Sequence, residues 1–152
     1  MKRLIASLLL FVTLAAGAEP FRLNFQEKGN ELSLKFDQSE WEFVTHQNDW
    51  TMYLARGEVD EMKGFRLMYT MLVYDDPVKR DFTDKPVKKI FSFGFIACDA
   101  SKLVLMNDFV TTEDHNVVHM TRHNFGDVVV DMDKKGTVAY QIHDLICKGK
   151  SV

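Results

Sequence analysis

A chain of 152 residues with 19 basic and 22 acidic side chains fits one domain of slightly negative charge. A net charge of −3 argues against a nucleic-acid partner, because phosphate binding needs a basic patch. The local basic clusters Lys88-Lys89 and Lys148 with Lys150 both read as solvated ends of elements.

Residues 1–18 read as an export signal. Met1-Lys2-Arg3 supplies the positive start, Leu4 to Leu14 the apolar run, and Ala16-Gly17-Ala18 a small-x-small cleavage site before Glu19. The alternative is a retained anchor, but the run is short of the roughly 18–20 apolar residues that span a bilayer. No cysteine follows the site, so the product is expected to be exported, periplasmic or secreted, and not a lipoprotein. No stable membrane insertion is expected after cleavage. Removing residues 1–18 leaves 134 residues with 17 basic and 22 acidic side chains, enough for one hydrophobic core.

Phe21 to Phe25 and Leu32 to Phe36 alternate apolar with polar residues around Lys28-Gly29-Asn30. This predicts an N-terminal β-hairpin within an extension at 19–40. Trp41 to Val44 and Trp50 to Ala55 follow as strands flanking a polar turn, His46 to Asp49. One tryptophan is expected in the core and one partly exposed. Arg56 to Gly64 reads as a charged connection; its Glu58, Asp60 and Glu61 lack the order of a calcium loop.

Phe65 to Tyr74 is a long strand with apolar odd positions. Met68 and Leu72 on the other face point to cover there too, by a helix. Asp75-Asp76-Pro77 is expected to end the strand, and Val78 to Val87 to form an exposed loop. Lys88 to Cys98 is a buried strand, with Phe91, Phe93 and Phe95 alternating with Ser92 and Gly94. Leu103 to Val110, Asn116 to Arg122 and Val128 to Val130 read as further strands. The last segment is helical: Thr137 can cap it, and Val138, Ile142, Leu145 and Ile146 form one apolar stripe. The expected fold is α+β, mainly an antiparallel β-sheet meander with a C-terminal helix.

Two cysteines remain, Cys98 and Cys147. In an oxidising compartment a lone pair usually forms a disulfide, which here would staple the helix to the central strand. Two free thiols in a metal or redox site are the alternative, without any CxxC to support them. His115, His119 and His123 are the candidate metal ligands. On a helix they would share a face; on a strand, neighbours would lie about 13 Å apart, too far for one ion. Serines are few, no Gly-x-Ser-x-Gly elbow exists, and no glycine loop for phosphate is present, so neither an enzyme nor a cofactor is expected. Ser92 reads as a small residue under a packed neighbour.

The order of features resembles the surface-adhesin protein E-like family of small exported bacterial proteins. The markers are Trp41-Glu42-Phe43-Val44, then Thr51-Met52-Tyr53-Leu54, a strand ending in Cys98, and a closing helix ending Leu145-Ile146-Cys147-Lys148. The resemblance spans 41–148. It implies an antiparallel sheet packed with helix, a Cys98–Cys147 disulfide and no catalytic activity. It also implies binding of host matrix or serum proteins such as vitronectin and laminin. The chain departs from the family in its 19–40 extension, in lacking a lipid-attachment cysteine, and in Ala55-Arg56 where an aspartate is usual. The function expected is a non-enzymatic binding module for a host-matrix or envelope protein. The alternatives are a periplasmic zinc or copper handler, or an inhibitor of an envelope enzyme.

Overall fold

The computed structural model of the protein describes residues 22–55, 61–62 and 64–149. The expected signal peptide at 1–18, and Glu58 and Asp60 of the acidic group, lie outside the described residues, as do the side chains of Lys28, Glu61 and Met62.

β1 (Asn24–Lys28) and β2 (Glu31–Lys35) form a hairpin around Gly29-Asn30, and Gly29 takes the left-handed φ of +66° that this tight turn needs. The hairpin is a two-stranded sheet of its own. The second sheet holds β3 (Trp41–Gln47), β4 (Trp50–Ala55), β5 (Glu61–Met62), β6 (Phe65–Arg80), β7 (Thr83–Ala97), β8 (Lys102–Thr111), β9 (Val117–Arg122) and β10 (Val129–Asp131). Its order is β10-β8-β7-β6-β4-β3, every pair antiparallel. The meander closes with a variation: β9 and β10 share the outer edge of β8, β9 against 107–111 and β10 against 102–104.

The charged stretch after Tyr74 is not a loop. β6 runs on to Arg80 and β7 begins at Thr83, so the two strands form one long hairpin with Asp81-Phe82 at its tip. Asp75-Asp76-Pro77 is a bulge: pairing jumps from Val73–Lys89 to Val78–Val87. Proline's missing donor is harmless where the ladder is already broken. The Asp75 amide instead donates to the Asp49 carbonyl at 2.8 Å. Val87 is fully buried opposite Val78, which holds the two arms together among their charges.

Alternation sends the two faces of β6 and β7 into separate cores. Met68 and Ile96 pack with Leu103, Met132, Ile142 and Ile146 beneath α1 (Val138–Lys148). Met71 and Phe91, both wholly buried, pack on the opposite face with Leu34 and Trp41, under the N-terminal hairpin. The helix begins at Thr137, whose Oγ1 accepts from the Tyr140 amide at 3.2 Å, and stops at Gly149 with φ +60°. Arg66 donates to the Ile146 carbonyl, and Cys98–Cys147 joins the end of β7 to the last turn of α1. Buried His143 places Nε2 3.2 Å from the Cys98 carbonyl, beside the same bond.

Gly94 lies where the β7–β8 register shifts, and β8 comes in close. A Cβ there would sit 2.6 Å from the Val104 carbonyl oxygen.

Two expected outcomes follow from this packing. Cys98→Ser opens a link between residues 49 apart and lowers stability by about 2–4 kcal/mol in denaturant unfolding. Equal midpoints for the oxidised and reduced protein would contradict it. Gly94→Ala pushes against backbone and costs about 1–3 kcal/mol by the same measurement; an unchanged midpoint would show that β8 yields freely.

Candidate functional site

The structure separates the three candidate histidines. His115 sits in the β8–β9 turn at φ +65°, with its ring 5.0 Å from that of Phe36. His119 lies across from Val110, its ring 4.5 Å from Phe82 at the tip of the β6–β7 hairpin. His123 follows β9 and places Nε2 3.1 Å from Asp108 Oδ2. Each histidine thus faces a different neighbour. No group of three or more His, Cys, Asp or Glu that could hold a metal ion occurs among the described residues.

Ser92 is not a spacer beneath a neighbour. Its hydroxyl donates to Asp108 Oδ1 at 2.6 Å, so Asp108 lies between a hydroxyl and an imidazole. A nucleophilic serine needs the imidazole against its own hydroxyl, with the carboxylate behind. Here the order is reversed, and the group works as a cross-strand tie between β7, β8 and the end of β9.

A second polar group lies under the N-terminal hairpin. Lys89 is 8% exposed, its ammonium 3.2 Å from His115 Nδ1 and 5.2 Å above the Phe36 ring. The His115 carbonyl accepts from the Leu34 amide at 2.9 Å. The hairpin is therefore held to the sheet at a buried lysine paired with a half-buried histidine. Burial, then the charge of Lys88, pushes the Lys89 ammonium below the usual lysine value, with Glu113 and Asp114 opposing. Burial, then Lys89, pushes His115 below the usual imidazole value, with Asp114 opposing.

The surface that stands out for binding is aromatic. Phe91, Phe93 and Phe95 point to the face away from α1, beside Met71, Tyr69 and Leu67 of β6. The hairpin covers this face at Phe91 and Met71, and its Phe25 ring lies 4.9 Å from Phe109 of β8. Beyond it, the Tyr69 and Phe93 rings lie 4.9 Å apart and Phe93 and Phe95 5.4 Å apart, all half-buried. Phe43 flanks the face on β3, 50% exposed and 6.3 Å from Tyr53. Phe125 flanks it on the other side, 63% exposed, with its ring 6.1 Å from Phe65 and 6.4 Å from Phe95. The Phe125 turn is held by Asp127, whose Oδ2 accepts from both the amide and the side chain of Asn124 at 3.0 Å, and Gly126 supplies φ +91°. Large rings with few rotors, partly wet and held in place, are what a protein interface uses as anchors.

Sequence reading did not reach Phe43 or Phe125. Trp41 and Phe43 alternate as if both entered one core, yet Trp41 is 5% exposed, because the hairpin's cover includes Trp41 and stops short of Phe43. Phe125 did carry a signal: a phenylalanine inside Asn124-Phe125-Gly126-Asp127 sits at a turn tip, where no core residue belongs. Of the tryptophans, Trp41 is core and Trp50 partly buried.

The protein is an antiparallel sheet with a C-terminal helix on one face, tied to the sheet by the Cys98–Cys147 disulfide. A solved structure similar to it is crystal form II of Haemophilus influenzae protein E, with a TM-score of 0.54 over 75% of this chain and 91% of that chain. Identity is 9%, so the likeness is one of fold. No family model matches the chain, and no curated protein does. The resemblance read from the sequence therefore stands at the level of fold and not of membership.

The Lys89–His115 pair has a pH signature. The fold lowers the His115 value below its ordinary 6.5, so it favours the neutral ring. The stability this gives is present above the unfolded value and is lost as pH falls through it toward the folded one. Unfolding free energy is expected to decline between about pH 7 and pH 5, and less steeply in His115→Asn, a residue that tolerates positive φ. Parallel pH profiles for the two proteins would show that the pair does not titrate in this range.

Proposed function

We propose that the protein is an exported, adhesin-like binding module that holds a protein partner on the aromatic face between Phe43 and Phe125. The observation that carries this reading is the face itself: half-buried Tyr69, Phe93 and Phe95, flanked by two exposed phenylalanines in fixed positions. Partly exposed aromatic rings gathered on one face of a small domain are the composition of an interaction site. The protein E-like fold supports the reading, as does the family resemblance, which carries binding of host matrix or serum proteins and no catalysis. Export rests on the signal-peptide reading of 1–18 and agrees with the disulfide. No helix among the described residues is long and apolar enough to cross a membrane. In this reading 41–148 is the binding domain and 19–40 an added cover for one part of its face.

The test is solid-phase binding of the disulfide-bonded protein to vitronectin, laminin and immobilised envelope proteins, beside a Phe43→Ser/Phe125→Ser double variant. Saturable binding by the native protein is expected, weakened at least tenfold in the variant, with its melting temperature changed by only a few degrees. No saturable binding to any of these proteins would sink the binding claim; equal binding by the variant would move the site off this face.

A further inference from the structure

We propose a second binding site: the outer edge of β9 takes an extended peptide as an added strand. β9 pairs with β8 on one side only. On its other side β2 reaches it at a single antiparallel bridge, Ser33 with Asn116, next to the Leu34–His115 main-chain bond. Beyond that bridge the two strands run on without further pairing. Between them lies a cleft of about 650 Å³, whose lining includes Glu31, Asp84, Lys85, His119 and Met120. That volume is in the range of sites that hold a small ligand or a short peptide.

Strand geometry says what kind of occupant fits. The His123 amide donates to the Met106 carbonyl at 2.8 Å, so the main chain of His123 faces β8. Alternation then turns His119 and Thr121 toward β8, and turns the N–H and C=O of Met120 and Arg122 outward. No strand among the described residues pairs with them there. An edge of this kind is satisfied by water or by another extended backbone, and not by a globular surface. Apolar anchors stand beside it: Met120 is 60% and Phe82 49% exposed, and the Phe82 ring stacks on His119. Glu31 and Lys85 pair at 2.8 Å and tie the hairpin turn to the β6–β7 tip, which closes one side of the cleft. Their charges cancel, so Asp84 gives the lining its net negative sign. The chemistry points to an extended segment with apolar residues at alternate positions and a lysine or arginine beside them.

This site is distinct from the aromatic face between Phe43 and Phe125, so either can fail alone. The probe is a capped synthetic peptide, Lys-Thr-Val-Thr-Val-Thr-Lys, added to the disulfide-bonded full chain at up to about 1 mM, an affinity range typical of weak recognition. Amide exchange is read residue by residue by NMR. The Met120 and Arg122 amides are expected to exchange quickly alone and at least tenfold more slowly with the probe, while His119 and Thr121 are protected throughout. Met120→Pro removes an outward donor and no β8 bond, as edge strands tolerate, and is expected to weaken binding at least tenfold. A probe N-methylated at alternate amides tests the same point without altering the protein, and is expected not to bind. Phe43→Ser/Phe125→Ser is expected to bind the probe normally. Three outcomes would overturn the proposal. One is no slowing at Met120 and Arg122; a second is undiminished binding of the N-methylated probe. The third is protection that appears with protein concentration alone, since the edge would then belong to a second copy.

Discussion

The constraint behind this architecture is that β6 and β7 bury both of their faces. Met68 and Ile96 are hidden on one side, Met71 and Phe91 on the other. A sheet with two apolar faces needs two covers, and each buried side chain of this size is worth about 1.5–3 kcal/mol only if its cover stays in place. On one face the cover is α1, an 11-residue helix that would be marginal alone. The disulfide at Cys147, the Arg66 bond to Ile146 and buried His143 fix its last turn to the end of β7. On the other face the cover is the N-terminal hairpin, which has no covalent tie and spans less of the sheet. The part of that face where Tyr69, Phe93 and Phe95 are half-buried is the aromatic face.

The hairpin's anchorage explains a feature that is otherwise costly. A lysine only 8% exposed beside a histidine loses hydration that a surface pair would keep. An apolar pair of the same shape would pack as well or better. What the polar pair adds is position: His115 lies at φ +65°, its carbonyl receives the Leu34 amide, and its ring and the Lys89 ammonium both meet Phe36. These contacts fix where β2 meets the sheet. A hairpin held by apolar contact alone would be freer to slide, and Leu34 would lose its place against Trp41 and Phe91.

Much of this fold was readable from local pattern. The N-terminal hairpin, the paired tryptophan strands, the cap at Thr137 and the stripe from Val138 to Ile146 rest on short-range rules that tertiary context did not override. The prediction of a covering helix held at Met68, which packs beneath α1, but not at Leu72, which packs with Tyr74, Val87 and Val110. What failed was long-range. The stretch from Asp75 to Lys85 is charged because the arms of the long hairpin are exposed along much of their length, and Pro77 sits at a bulge; both look like a loop when pairing is not visible. The histidines do not share one site: Val118 is an extra residue in β9 and His115 sits in the turn before it, so the three rings meet different neighbours. The aromatic site was hidden because exposure of Phe43 depends on where the hairpin ends, which no pattern within β3 encodes.

The placement of Phe125 follows from how the edge of β8 is shared. β9 and β10 both pair with this one strand, so the chain between them must travel along its edge rather than leave it. It stays bonded as it goes: the His123 amide donates to Met106, and the Leu105 amide donates to Val128 at 3.1 Å. Adjacent residues of β8 thus grip both ends of the 123–128 segment, and the Asn124–Asp127 turn stiffens its middle. The register shift at Gly94 lies in the same stretch of β7 and β8, where β8 carries an extra residue. A phenylalanine on a free loop would lose rotor and backbone freedom on binding, at about 0.5–1.5 kcal/mol for each side chain immobilised. Phe125 has already lost much of that freedom to the fold. Its exposure therefore leaves a preorganised ring over Phe65 and Phe95, for which little ordering remains when a partner arrives.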